Sequence, residues 1–77
     1  GSDEKDRVYE ILKEVQRLVK EYRDISKEIE DLVKHYEHIT DDEAQEVSKE
    51  LIDKSLRASE IVRELIRLIK ELLDELE

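Results

Sequence analysis

Residues 38–43 read His38-Ile39-Thr40-Asp41-Asp42-Glu43, and this short polar run decides the fold. Thr40 followed three residues later by Glu43 spells a capping box, and Asp41 and Asp42 suit the positive end of a helix dipole. A helix is therefore expected from about residue 41. The link before it covers only about residues 38–40, and a connection that short between two helices turns the chain back as an antiparallel hairpin. It contains no glycine, so the C-cap of the first helix is expected to fall to His38 or a neighbour in a less comfortable conformation.

Upstream of this run the apolar residues fall into columns spaced by seven. Val8, Val15, Tyr22, Ile29 and Tyr36 make one column; Ile11, Leu18, Ile25, Leu32 and Ile39 make a second. Together they step by three and four, the a and d seam of a heptad repeat, and Leu12, Val19, Ser26 and Val33 widen the stripe at e. A first helix over about residues 3–37 follows. Downstream, Ser48, Ser55, Val62, Ile69 and Leu76 occupy a, and Ala44, Leu51, Ala58, Leu65 and Leu72 occupy d. Ile52, Ser59, Ile66 and Leu73 lie at e; Val47, Lys54, Ile61 and Leu68 lie at g. The second helix is thus expected over about residues 41–76, with its C-terminal half apolar at a, d, e and g. A stripe that wide requires at least two neighbouring helices.

Composition agrees with an all-helical chain. Of 77 residues one is glycine and none is proline, while 14 are Lys or Arg and 23 are Asp or Glu, for a net charge of −9. With no cysteine there is no disulfide, thiolate metal site or thiol redox motif. No apolar run approaches the roughly 20 residues that cross a bilayer, and the acid excess argues against binding a phosphate backbone. Gly1 and Ser2 read as a cloning scar, leaving residues 3–77 as a single helical hairpin.

A lone hairpin of this length is a ribbon with one line of contact. With a/d seams facing each other, Ile61, Ile66, Leu68 and Leu73 are left as an exposed apolar strip larger than monomers tolerate. The fold expected is therefore an all-α two-helix antiparallel hairpin with heptad repeats, assembling into a four-helix bundle or coiled coil. Val15, Leu18, Val19, Ile25 and Ile29 of the first helix are expected to supply apolar interface with Ile61, Leu65, Ile66, Leu68, Ile69, Leu72 and Leu73 of the second. Tyr22 and Ser26 interrupt these columns at the middle of the first helix, and Ser48, Ser55 and Ser59 interrupt them in the first half of the second. Buried hydroxyls are costly without partners, so these five are expected to form a polar layer that fixes which helices pair and in which register. The competing reading has the serines bonding back to carbonyls of their own helices.

The charges also fall into columns. Glu14, Glu21 and Glu28 form an acidic rail beside the first helix's seam, and Lys49, Arg63 and Lys70 a basic rail on the second. Such rails influence partner choice more than stability. His35 and His38, near Asp31 and Asp41, have a spacing compatible with a metal, but they lack the Glu-x-x-His pairs of di-metal bundles, and a surface or C-cap role is expected. A pH response of His35 is the alternative. No Gly-rich loop and no nucleophile with a positioned base is present, so no catalysis, metal, cofactor or small-molecule substrate is expected.

The unbroken heptads, the short Ile39-Thr40-Asp41-Asp42-Glu43 connection, the Leu/Ile/Val core with Ser and Tyr insertions and the Glu/Lys/Arg surface resemble computationally designed helical-hairpin oligomers with buried hydrogen-bond networks. Some of these are four-helix-bundle heterodimers. The resemblance implies a synthetic association module with no natural compartment, made soluble in the cytoplasm of an expression host. A different hairpin is the partner expected first, a homodimer second and a homotrimer third. A membrane-surface amphipathic helix is the reading from another class, disfavoured by the acid excess and the lack of Trp and Phe.

Overall fold

The computed structural model describes residues 2–77 and contains two long α-helices, α1 (Ser2–Tyr36) and α2 (Asp41–Leu76). Nothing in either sequence opposes helix. Glu, Lys, Leu and Arg dominate the exposed faces, and proline is absent. The helices run back along each other as an antiparallel hairpin of 60 × 15 × 12 Å. At 1.5 Å per residue, the 35 and 36 residues of α1 and α2 account for roughly 52–54 Å of that length.

The turn is made without a left-handed residue: no non-glycine φ is positive among the described residues. The His38 N–H donates to the His35 carbonyl at 3.0 Å, closing α1 with a tight turn in ordinary backbone geometry. The strained C-cap expected from the missing glycine is not needed. Thr40 is the N-cap of α2, with extended backbone (φ −81°, ψ 164°), and its carbonyl accepts from the N–H groups of Glu43 at 3.1 Å and Ala44 at 3.0 Å. Its hydroxyl makes no capping bond, so the reciprocal capping box does not form. This end of the rod is exposed, and first-turn N–H groups facing solvent do not need a side-chain partner. At the far end, the Glu77 N–H donates to the Leu73 carbonyl at 3.1 Å, and the last turn of α2 has no basic residue to oppose its dipole.

The core is a single file. Leu18 and Ile25 of α1 meet Ile61 and Leu68 of α2, with Ile11, Val15, Ile29, Ala58 and Leu65 packed against them. On α1 these are the d column flanked by a, as the heptads indicate. On α2 they are d and g, not a and d. Ile61 is 0% exposed and Leu68 4%, whereas Ile66 and Leu73 remain 47% and 56% exposed. Ile61 and Leu68 therefore belong to the hairpin's own core and do not join an exposed strip. The same holds for Leu18 and Ile25, which leave almost no surface for a partner.

Turning α2 by this amount has a physical reason. An a/d seam draws Ser48 and Ser55 towards the core, where their hydroxyls lack partners at a cost. The d/g seam substitutes Val47, Ile61 and Leu68, together with the aliphatic stem of Lys54, whose head reaches the rim. Ala44 and Ala58 in the same file let the backbones approach closely.

Candidate association face

The two broad faces of the ribbon differ. On one, the helices are tied together by ion pairs. Arg7 meets Glu75 at 3.0 Å, Glu21 meets Arg57 at 2.7 Å and Glu28 meets Lys54 at 3.1 Å. Between the first two rungs lie two local clusters, Glu14 with Arg17 on α1 and Glu64 with Arg67 on α2. They also act on each other. The Glu14 carboxyl is held below the usual carboxylate range chiefly by its hydrogen bond from Arg17, with a smaller contribution from Arg67 across the ribbon. Glu64 is lowered in the same way, first by Arg67 and more weakly by Arg17. A carboxyl depressed on folding favours the folded chain above its ordinary titration range, and that contribution fades as pH falls through the depressed value. His35 lies on this charged face too, in a groove with Glu28, Asp31, Leu32, Glu50 and Lys54. No group of three or more His, Asp or Glu among the described residues is arranged to hold a metal ion.

The acidic rail of α1 is thus matched inside the chain, but by the c and g columns of α2. Lys49, Arg63 and Lys70, the expected basic rail, lie on the other side; Lys49 pairs locally with Glu46 at 3.6 Å. The rotation of α2 that selects d and g also brings Lys54 and Arg57 opposite the glutamates. These rungs are exposed and each contributes little: Glu21→Gln is expected to lower stability by less than about 1 kcal/mol. Denaturant titration at low and at roughly 1 M salt checks this, since screening erases a surface pair.

The opposite face is apolar and uncovered. From α1 it presents Leu12, Val19, Tyr22 and Val33; from α2 it presents Ile52, Val62, Ile66, Ile69 and Leu73. These are the a and e columns of both helices. That they share one face is shown by a groove in which Tyr22 of α1 lies with Ala58, Ser59 and Val62 of α2. Ile66, Ile69 and Leu73 are exposed, whereas Val19 is half-buried. Val15, Ile29, Leu65 and Leu72 are half-buried between the core and this face. Leu56, 58% exposed at a b position one turn from Ile52 and Ser59, extends the face beyond the columns read from the sequence. Tyr9 is equally exposed at b of α1, with the Lys13 ammonium 5.2 Å from its ring centre.

The polar interruption sits at the centre of this face. The cross-helix rungs fix the register, and at that register Tyr22 lies level with Ser59, and Ser26 with Ser55. Ser48 lies two turns closer to the loop, roughly 10 Å from Ser55. Within the chain none of these five hydroxyls is hydrogen-bonded, neither to one another nor back to its own helix, among the described residues. No buried polar side-chain atom lacks a partner there, because the hydroxyls are open to solvent.

No helix of the described residues is long and apolar enough to cross a membrane. Comparison with protein-family models, with curated proteins and with solved structures gives no match for this chain.

Proposed function

We propose that this hairpin is an association module that pairs with a second, different helical hairpin to complete a four-helix bundle, and that it performs no catalysis. The observation that carries this reading is the uncovered face made of the a and e columns of both helices. A ribbon sealed by ion pairs on one side and lined by Ile, Leu and Val on the other has half of a bundle core. Covering that face with two more helices removes from water the strip that a monomer leaves exposed. The residues assigned to the interface are Val19, Ile66, Ile69 and Leu73, with Val15, Ile29, Leu65 and Leu72 at its floor. The resemblance to designed hairpin heterodimers supports a different hairpin as the partner; a homodimer is the second reading.

The polar layer belongs to the same proposal. Tyr22, Ser26, Ser55 and Ser59 carry donors and acceptors with no partner among the described residues. Covered by apolar side chains alone they impose a penalty, whereas a hairpin bearing complementary polar groups at that level satisfies them. The layer then penalises slipped registers and other oligomers. Converting Ser55→Ala and Ser59→Val together is expected to leave association with a partner hairpin intact but to replace the single paired state by several. Sedimentation velocity reads this directly, and a single unchanged species would contradict the specifying role.

A lipid surface is a poorer match. The strip is split by polar hydroxyls, Trp and Phe are absent, and both ends of the rod are acidic: residues 35–46 and 71–77 hold five and four carboxylates with no Lys or Arg. Flotation with anionic liposomes is expected to leave the chain in the soluble fraction.

A further inference from the structure

The edges of the apolar face carry a charge pattern that names the chemistry of the partner. Of fourteen Lys and Arg side chains, five make no ion pair among the described residues: Lys5, Lys20, Arg23, Arg63 and Lys70. Four of them fall in two places, and Lys5 lies near the start of α1. Arg63 lines the groove of Tyr22, Ser59 and Val62, and Lys70 follows it two turns on along α2. Lys20 and Arg23 share a groove with Val19 on the outer side of α1, which the ion-paired Lys13 and Arg17 also line. On the sealed face, by contrast, Arg7, Arg17, Lys54 and Arg57 are all paired with carboxylates.

Resting on the reading that this face docks a helical hairpin, we propose that the hairpin it takes has an apolar face edged on both sides by Asp and Glu, which complete ion pairs with Arg23, Arg63 and Lys70. A chain of net charge −9 thus presents basic edges where it is to be covered. A second copy brings the same unpaired cations to those edges. When α2 lies over α2, Arg63 and Lys70 face their own column; when α2 lies over α1, Arg63 approaches Arg23. Like charges at the rim of a closing interface oppose association, and opposite charges speed and select it. The edge cations therefore discriminate between a different hairpin and a second copy, independently of the polar layer.

A version of this chain with acidic edges is the probe. Arg23→Glu, Arg63→Glu and Lys70→Glu all lie at exposed positions, and circular dichroism verifies that the hairpin is retained. The wild-type chain, the variant and their equimolar mixture are compared by sedimentation equilibrium at about 0.15 M salt, where charges more than roughly 8 Å apart are screened and repulsion between the acidic ends is small. The mixture is expected to form a one-to-one dimer at least about 10-fold tighter than wild-type self-association, with the advantage shrinking to within about threefold near 1 M salt. The neutral variant Arg23→Gln, Arg63→Gln and Lys70→Gln is expected to self-associate more tightly than wild type. Wild-type self-association as tight as the mixture overturns the acid-edged partner while leaving hairpin pairing intact. Absence of dimers in every mixture up to about 100 μM overturns the pairing reading itself. Binding to phosphatidylserine vesicles at the same salt with no hairpin dimer assigns the face to lipid and overturns both.

Discussion

Ile61→Ala lowers the stability of the hairpin by about 2–4 kcal/mol, the range for emptying a fully buried aliphatic site. Ile61 is the most enclosed side chain in the molecule, at the middle of a core one residue wide. With only two layers around the site, the neighbours have few ways to close the cavity. Net stability of a single core this small is itself on the order of 3–5 kcal/mol, so the variant is expected to be largely unfolded at 37 °C. Urea titration followed by circular dichroism at low concentration measures the change. Ile66→Ala, one turn away and exposed, serves as the comparison and is expected to stay within about 0.5 kcal/mol of wild type. A larger loss at Ile66 than at Ile61 would mean that α2 presents a and e, not d and g, to α1.

The second large effect is on association. Ile66→Asp with Leu73→Asp is expected to weaken dimer formation by at least about 100-fold, whether with the acid-edged copy or with wild type at high concentration. Each carboxylate has to leave water as the apolar face is covered, at a cost of several kcal/mol without a partner, and each 1.4 kcal/mol is tenfold in affinity. Both residues already face solvent in the single chain, so helicity and the urea midpoint at low concentration are expected to be unchanged. A shared loss of folding and association would show that these side chains belong to the hairpin core.

The hairpin was legible in the sequence because its signals are local and redundant. Seven-residue columns, a three-residue link and Thr40-Asp41-Asp42-Glu43 all point to two antiparallel helices, and α1 uses the d column it was expected to use. The rotation of α2 was not legible. With apolar residues at a, d, e and g, its C-terminal half offers two apolar seams of similar width, and periodicity cannot rank them. The deciding signals lie in the N-terminal half, where serines at a and e are poor core residues and Lys54 and Arg57 can reach Glu28 and Glu21. Reading the polar residues as a constraint on the seam, and not as an interruption within it, identifies d and g. Leu56 at b was the residual clue that the free face is wider than two columns. The capping expectation failed for another reason: Thr40 takes the cap position, but an exposed helix start gives its hydroxyl no need to fold back.

The charge distribution follows from the same geometry. Carboxylates collect where helices start and at the ends of the rod, the acidic rail of α1 is consumed within the chain, and the unpaired cations border the face that remains open. In the proposed pairing, partner choice rests on two features of that face, its central hydroxyls and its basic edges.

Native mass spectrometry of the chain alone tests the central claim most directly. An uncovered apolar face with like-charged edges predicts monomer at low micromolar concentration, giving way to a mixture of dimer and larger species towards about 100 μM. A clean dimer at low micromolar concentration would contradict a different hairpin as the partner.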